Sequence, residues 1–74
     1  MKKLMIEMLK NTSDYRCENV DYEDLAHHDG ISVYSKAGRN GVFNSPELAA
    51  MFQAAGFHSF CDYRNNRVEL VIFS

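Results

Sequence analysis

Apolar and polar positions in the last third of the chain fall into two short runs broken by a polar tetrad. Residues 58–63 and 68–73 are rich in aromatic and β-branched side chains, with Arg64-Asn65-Asn66-Arg67 between them. Asn tolerates positive φ, so Asn65-Asn66 predicts a two-residue type I′ turn and a β-hairpin. That turn fixes a register: Tyr63 opposite Val68, Cys61 opposite Leu70, and Ser59 opposite Ile72. This side is mostly apolar and is expected to pack on a helix. The helix is predicted just upstream, over 46–55. Ser45 suits the N-cap, Pro46 the first helical position, and Glu47 the positive end of the dipole. Leu48, Met51, Phe52 and Ala55 recur on one face. Gly56 is placed to take the left-handed position after the last turn, with Phe57 folding back on it.

The first half gives weaker periodicities. Ile31 to Lys36 alternates as a half-buried strand does. Residues 37–41 read as a turn, and Val42-Phe43-Asn44 as a short return strand. Asn19 to Gly30 reads as a short acidic helix (about 20–29), with His27 and His28 in its last turn and Gly30 as its stop. In residues 3–9, Leu4, Ile6 and Met8 alternate like a strand, while Leu4, Met5, Met8 and Leu9 recur like a helix. The reading leans to a strand. The expected fold is α+β: one domain over 1–74, with an antiparallel sheet of four to five strands and helix 46–55 on one face.

Composition narrows the class. At 74 residues and 46% hydrophobic content the chain has room for one thin core and is no disordered tail. Its stability is expected to be about 4–11 kcal/mol. No apolar run reaches the roughly 20 residues needed to span a bilayer. The apolar stretch after Lys2-Lys3 is cut by Glu7 and has no small-residue cleavage site, so it reads as part of the fold. Two cysteines, Cys17 and Cys61, are too few for a disulfide framework and are expected as reduced thiols in the cytoplasm. The net charge of −2 is mild, but residues 14–29 hold six acids against Arg16 alone.

Candidate chemistry is sparse. Cys17, His27, His28, His58 and Cys61 are metal-ligand types, yet the one close mixed pair, His58 and Cys61, would point to opposite faces of a strand. The preferred reading puts Cys61 in the core and the histidines on the surface, with no metal or cofactor. Cys17 sits among Asp14, Glu18 and Asp21, which disfavour a thiolate nucleophile. No hydrolase elbow, P-loop, dinucleotide fingerprint or zinc-protease signature occurs. Arg39-Asn40 and Arg64-Asn65-Asn66-Arg67 offer donors to nucleic acid, with Tyr34 and Tyr63 for stacking. The Arg64/Arg67 tip is also expected near the N-terminus of helix 46–55, a place for a small anion. Against this, Arg64 and Arg67 share a strand face with Asp62 and Glu69 and can pair there as surface ions.

The most informative pattern is apolar. The hairpin register puts His58, Phe60, Val71 and Phe73 on the face opposite the core, where a half-solvated sheet should be polar. Either the N-terminal segment covers this patch, the favoured expectation, or another chain does. The last strand is expected at a sheet edge, open to strand addition. These features point away from an enzyme and toward a protein-binding regulator or inhibitor. Its expected contacts are Glu18, Asp21, Glu23, Asp24, Phe60, Val71 and Phe73, with a homodimer among the arrangements considered. Length and lack of motifs suggest an accessory protein of a phage or mobile element, of the anti-CRISPR or anti-defence kind. A nucleic-acid-binding regulator using Arg39, Asn40, Arg64, Asn65, Asn66 and Arg67 is the second reading. A Cys/His metal- or thiol-dependent activity is the third.

Overall fold

In chain order the elements are α1 (Lys2–Lys10), β1 (Val20–Asp24), β2 (Gly30–Ser35), α2 (Ser45–Ala54), β3 (His58–Arg64) and β4 (Arg67–Phe73). They are seen in a computed structural model that describes residues 1–13, 15, 19–37, 43 and 45–74. The four strands form one antiparallel sheet in the order β1-β2-β4-β3. Both helices contribute to a single core, so the fold is α+β.

The C-terminal hairpin follows from its turn. Asn65 and Asn66 both take positive φ, 56° and 62°, as a type I′ turn requires. The register is the expected one, with Tyr63 opposite Val68, Cys61 opposite Leu70 and Ser59 opposite Ile72. Helix α2 starts on Ser45 itself, one residue earlier than expected, and closes with a Schellman motif. Gly56 sits at φ 95°, its N–H donates to the Gln53 carbonyl (3.0 Å), and the Phe57 N–H donates to that of Phe52 (3.1 Å). The Phe57 ring folds back to 6.3 Å from the Phe52 ring. On the buried side are Leu48, Ala49 and Phe52. Met51 is half-buried and Ala55 exposed, so Ala49 takes the place expected of Ala55.

Two elements correct the sequence reading. Residues 20–24 are a strand, not the start of an acidic helix. Val20 and Tyr22 point toward the core side while Asp21 and Glu23 point away, a period of two that pairing with β2 stabilises. Residues 25–29 form the hairpin loop, closed by the Leu25 N–H donating to the Gly30 carbonyl (3.1 Å). Gly30 has no room for a side chain: a Cβ there would collide with the Ile72 carbonyl oxygen and crowd Phe73 and Leu25. The N-terminal segment is a helix rather than a strand. Met5 and Leu9, four residues apart, are its fully buried side chains, with Ile6 and Met8 half-buried beside them. The expected turn over 37–41 and return strand over 42–44 lie outside the described residues except Ala37 and Phe43, and Phe43 is in no strand.

The core is built from Met5, Leu9, Val20, Ile31, Val33, Leu48, Ala49, Phe52, Phe57, Leu70 and Ile72. Ile31 lies opposite Ile72 and Val33 opposite Leu70 along the central β2–β4 pairing, so both helices pack on this one face. Among the described residues no helix is long and apolar enough to cross a membrane.

Candidate functional site

The helices leave the other face of the sheet without a covering element among the described residues. Register aligns its side chains in rows from β1 to β3. One row is Gly30, Phe73 and His58; the next is Glu23, Ser32, Val71 and Phe60; the third is Asp21, Tyr34, Glu69 and Asp62. The face divides into a polar end and an aromatic end.

At the polar end the central group is Glu69, whose side chain is only 2% exposed. Ser32 Oγ donates to its Oε1 (2.7 Å), Arg67 Nε to its Oε2 (2.9 Å), and Asn65 Nδ2 also to Oε2 (3.1 Å). Arg64 Nε lies 3.2 Å from Oε1. Arg67 also reaches across to Glu23 (Nη2 to Oε1, 3.1 Å) and lays its guanidinium 3.5 Å from the centroid of the Tyr34 ring. Burial opposes ionisation of Glu69. The hydrogen bonds from Ser32, Arg67 and Asn65, with the charge of Arg67, outweigh it and hold the carboxyl below its ordinary value. Burial, then the charges of Asp21 and Glu23, hold the Tyr34 phenol above its own, against the pull of Arg67. This is a satisfied network: it spends its donors on its own acceptors.

The aromatic end is arranged around Phe73. His58 stacks on its ring at 5.2 Å, His28 tilts against it at 5.6 Å, and Phe60 meets it edge-on at 6.3 Å. Gly30, beside Phe73 in the same row, leaves its neighbour free of a competing side chain. Val71 is buried and Phe73 half-buried within this cluster, whereas Phe60 stays 48% exposed.

The structure gathers Phe60, Val71 and Phe73 as the register implied. The expected cover is corrected: α1 packs with α2 on the core face, because Met5 and Leu9 find their apolar partners there. The acids are not one surface. Asp21 and Glu23 lie on the open face, while Asp24 is on the other side, 3.6 Å from Lys2. Glu18, Cys17, Arg39 and Asn40 lie outside the described residues.

Other expectations change as well. Cys61 is exposed rather than in the core. It shares the side of Leu70, but α2 covers only the Ser59 end of β3, where Ser59 Oγ donates to the Ala49 carbonyl (2.7 Å). His27 and His28 are in the hairpin loop, not a helix end. Arg64 and Arg67 point to the face away from α2, so they build no anion site at its N-terminus. They pair with Glu69, but as partners of a buried carboxylate rather than as surface ions. Tyr34 and Tyr63 lie on opposite faces of the sheet. The last strand, β4, is central, and β3 is the edge. Among the described residues no three His, Cys, Asp or Glu side chains converge as a metal site would need.

Sequence reasoning missed Ser32 and gave Glu69, Tyr34, Gly30 and His28 other roles than the ones the structure shows. The available sign was Glu69 itself, a lone acid inside the run Val68-Glu69-Leu70-Val71-Ile72. No protein family, curated protein or solved structure matches this chain.

Proposed function

We propose that this chain is a non-enzymatic protein-binding module, a small cytoplasmic regulator or inhibitor, that engages its partner through the aromatic end of the open sheet face. The reading rests on Phe60, 48% exposed beside Phe73 and His58 on a face that neither helix covers. An apolar cluster on an otherwise solvated sheet face marks a contact surface. Phe73, Val71 and the two imidazoles hold it in shape, which lowers the ordering cost of docking. The polar end, closed on itself, would orient the partner rather than anchor it.

The test compares tagged wild type with Phe60→Asp in pull-downs from lysate of the natural host, with and without nuclease. Wild type is expected to retain one protein in stoichiometric amount, and Phe60→Asp to lose it by about tenfold or more, as a central aromatic contact would. Circular dichroism should be unchanged, because Phe60 is outside the core. A protein retained equally by both forms would reject this face. A catch abolished by nuclease would transfer the reading to nucleic acid.

A further inference from the structure

The sheet has two edges, and they differ. Edge strand β1 carries three acids in five residues, Val20-Asp21-Tyr22-Glu23-Asp24, so two copies of it repel. Edge strand β3, His58-Ser59-Phe60-Cys61-Asp62-Tyr63-Arg64, has one acid and one base and contains no Pro or Lys. Six of its seven residues are exposed, Tyr63 to 64%. Nothing in its composition guards it against a further strand.

Its backbone polarity follows from the turn. In a two-residue hairpin the residues flanking the loop form a hydrogen-bonded pair, and such pairs alternate with non-bonded ones. Arg64 with Arg67, Asp62 with Glu69, and Phe60 with Val71 are therefore bonded across β3–β4. The N–H and C=O groups of Ser59, Cys61 and Tyr63 point outward from the sheet. The Ser59 carbonyl confirms this direction, since it accepts a hydrogen bond from Gln53 Nε2 (2.7 Å) instead of from β4.

We propose that β3 pairs with β3 of a second copy of this chain, antiparallel about a two-fold axis through Cys61, joining two four-stranded sheets into one of eight strands. Cys61 is the midpoint of the strand, so this register sets all three outward-facing residues against their equivalents: Ser59 against the partner copy's Tyr63, and Cys61 against Cys61. A shift toward Ser59 would drive the two α2 helices together, because each is tied to Ser59 through Ala49 and Gln53. A shift toward Arg64 would run the pairing into the Asn65-Asn66 turn. The chosen register keeps both helices apart and lays each exposed Tyr63 across the partner's Ser59. The strand's charges balance, so two copies meet without net repulsion. The open face continues across the seam, with an aromatic end on each half. This pairing does not depend on the open-face reading, because it uses the edge backbone and the side of the sheet that carries Cys61.

The test is sedimentation of the full chain together with Cys61→Pro and Cys61→Lys. Proline at position 61 removes only an outward-facing N–H, leaving the β4 ladder intact. Lysine there sets two like charges face to face. Wild type is expected to sediment as a dimer, and both variants at about half that mass with an unchanged circular dichroism spectrum. If Cys61→Pro unfolds, Cys61→Lys carries the comparison. In a Cys17→Ser background, diamide is expected to link the copies through Cys61. It takes up the two electrons and two protons of the thiols, whose Cα atoms would stand about 5.5 Å apart in this pairing. A monomeric wild type would overturn the proposal, and so would a dimer that survives both substitutions and does not cross-link. Phe60→Asp would set an acid opposite the partner copy's Asp62. Phe60→Ser, which adds no charge at the seam, therefore separates the readings: it removes the aromatic contact and leaves the Cys61 pairing, whereas Cys61→Lys leaves the aromatic cluster in place.

Discussion

Glu69→Ala is expected to lower stability by about 3–5 kcal/mol, since removing one partner of a buried ion pair strands the others. Ser32, Asn65, Arg64 and Arg67 all direct donors at this carboxylate, and Arg67 is itself held over Tyr34. With total stability near 4–11 kcal/mol, such a loss removes a large share of that stability. Glu69→Gln keeps an acceptor and the shape, and is expected to cost less, about 1.5–3 kcal/mol, as for hydrogen bonds to a charged group. Urea denaturation at neutral pH checks both values.

The same carboxyl makes stability depend on acid. Its folded pKa is lowered, so its contribution is fully present above the unfolded carboxyl pKa of about 4.3 and is lost as pH falls through the lower folded value. Wild type should weaken over that acidic window, and Glu69→Gln should show a shallower decline. An acid limb of equal slope in both proteins would show that other carboxylates govern it.

The second large effect is expected at Phe52. Phe52→Ala should cost about 3–5 kcal/mol, the usual penalty for emptying a core aromatic site. Phe52 is fully buried and packs against Phe57. A core this small has few neighbours to collapse into the gap. The denaturation midpoint should fall with little change in slope. A loss below about 1 kcal/mol would mean that the α2–sheet interface repacks freely.

The elements legible in the sequence are those whose cause is local. Asn65-Asn66 dictates its own turn and, with it, the register of seven residues on either side. Gly56-Phe57 dictates the end of α2. The misread elements are those decided by partners outside the segment itself. Val20-Asp21-Tyr22-Glu23-Asp24 alternates correctly for a strand, but its acids and the following histidines also suit a helix, and pairing with β2 settles the choice. In residues 4–9, five of six side chains are apolar, so either periodicity fits until Met5 and Leu9 meet the core. The candidate site was legible to the same degree. Phe60, Val71 and Phe73 followed from the turn. The open state of their face depended on where α1 docks, and the burial of Glu69 depended on Ser32, 37 residues away.

The order of the elements has a bearing on how the chain folds. They run α-β-β and then α-β-β, and each hairpin joins neighbours in sequence, so each closes at small entropic cost. Among the described residues the strand pairing that joins the halves is β2–β4, across roughly 30 residues of intervening chain, a longer loop to close. Four of the eleven core residues lie along that seam: Ile31, Val33, Leu70 and Ile72. Neither half can open alone without baring these side chains, so the two should melt as one unit. Amide exchange in β2 and β4 is therefore expected to proceed only through global unfolding, at matching rates on the two sides of the seam.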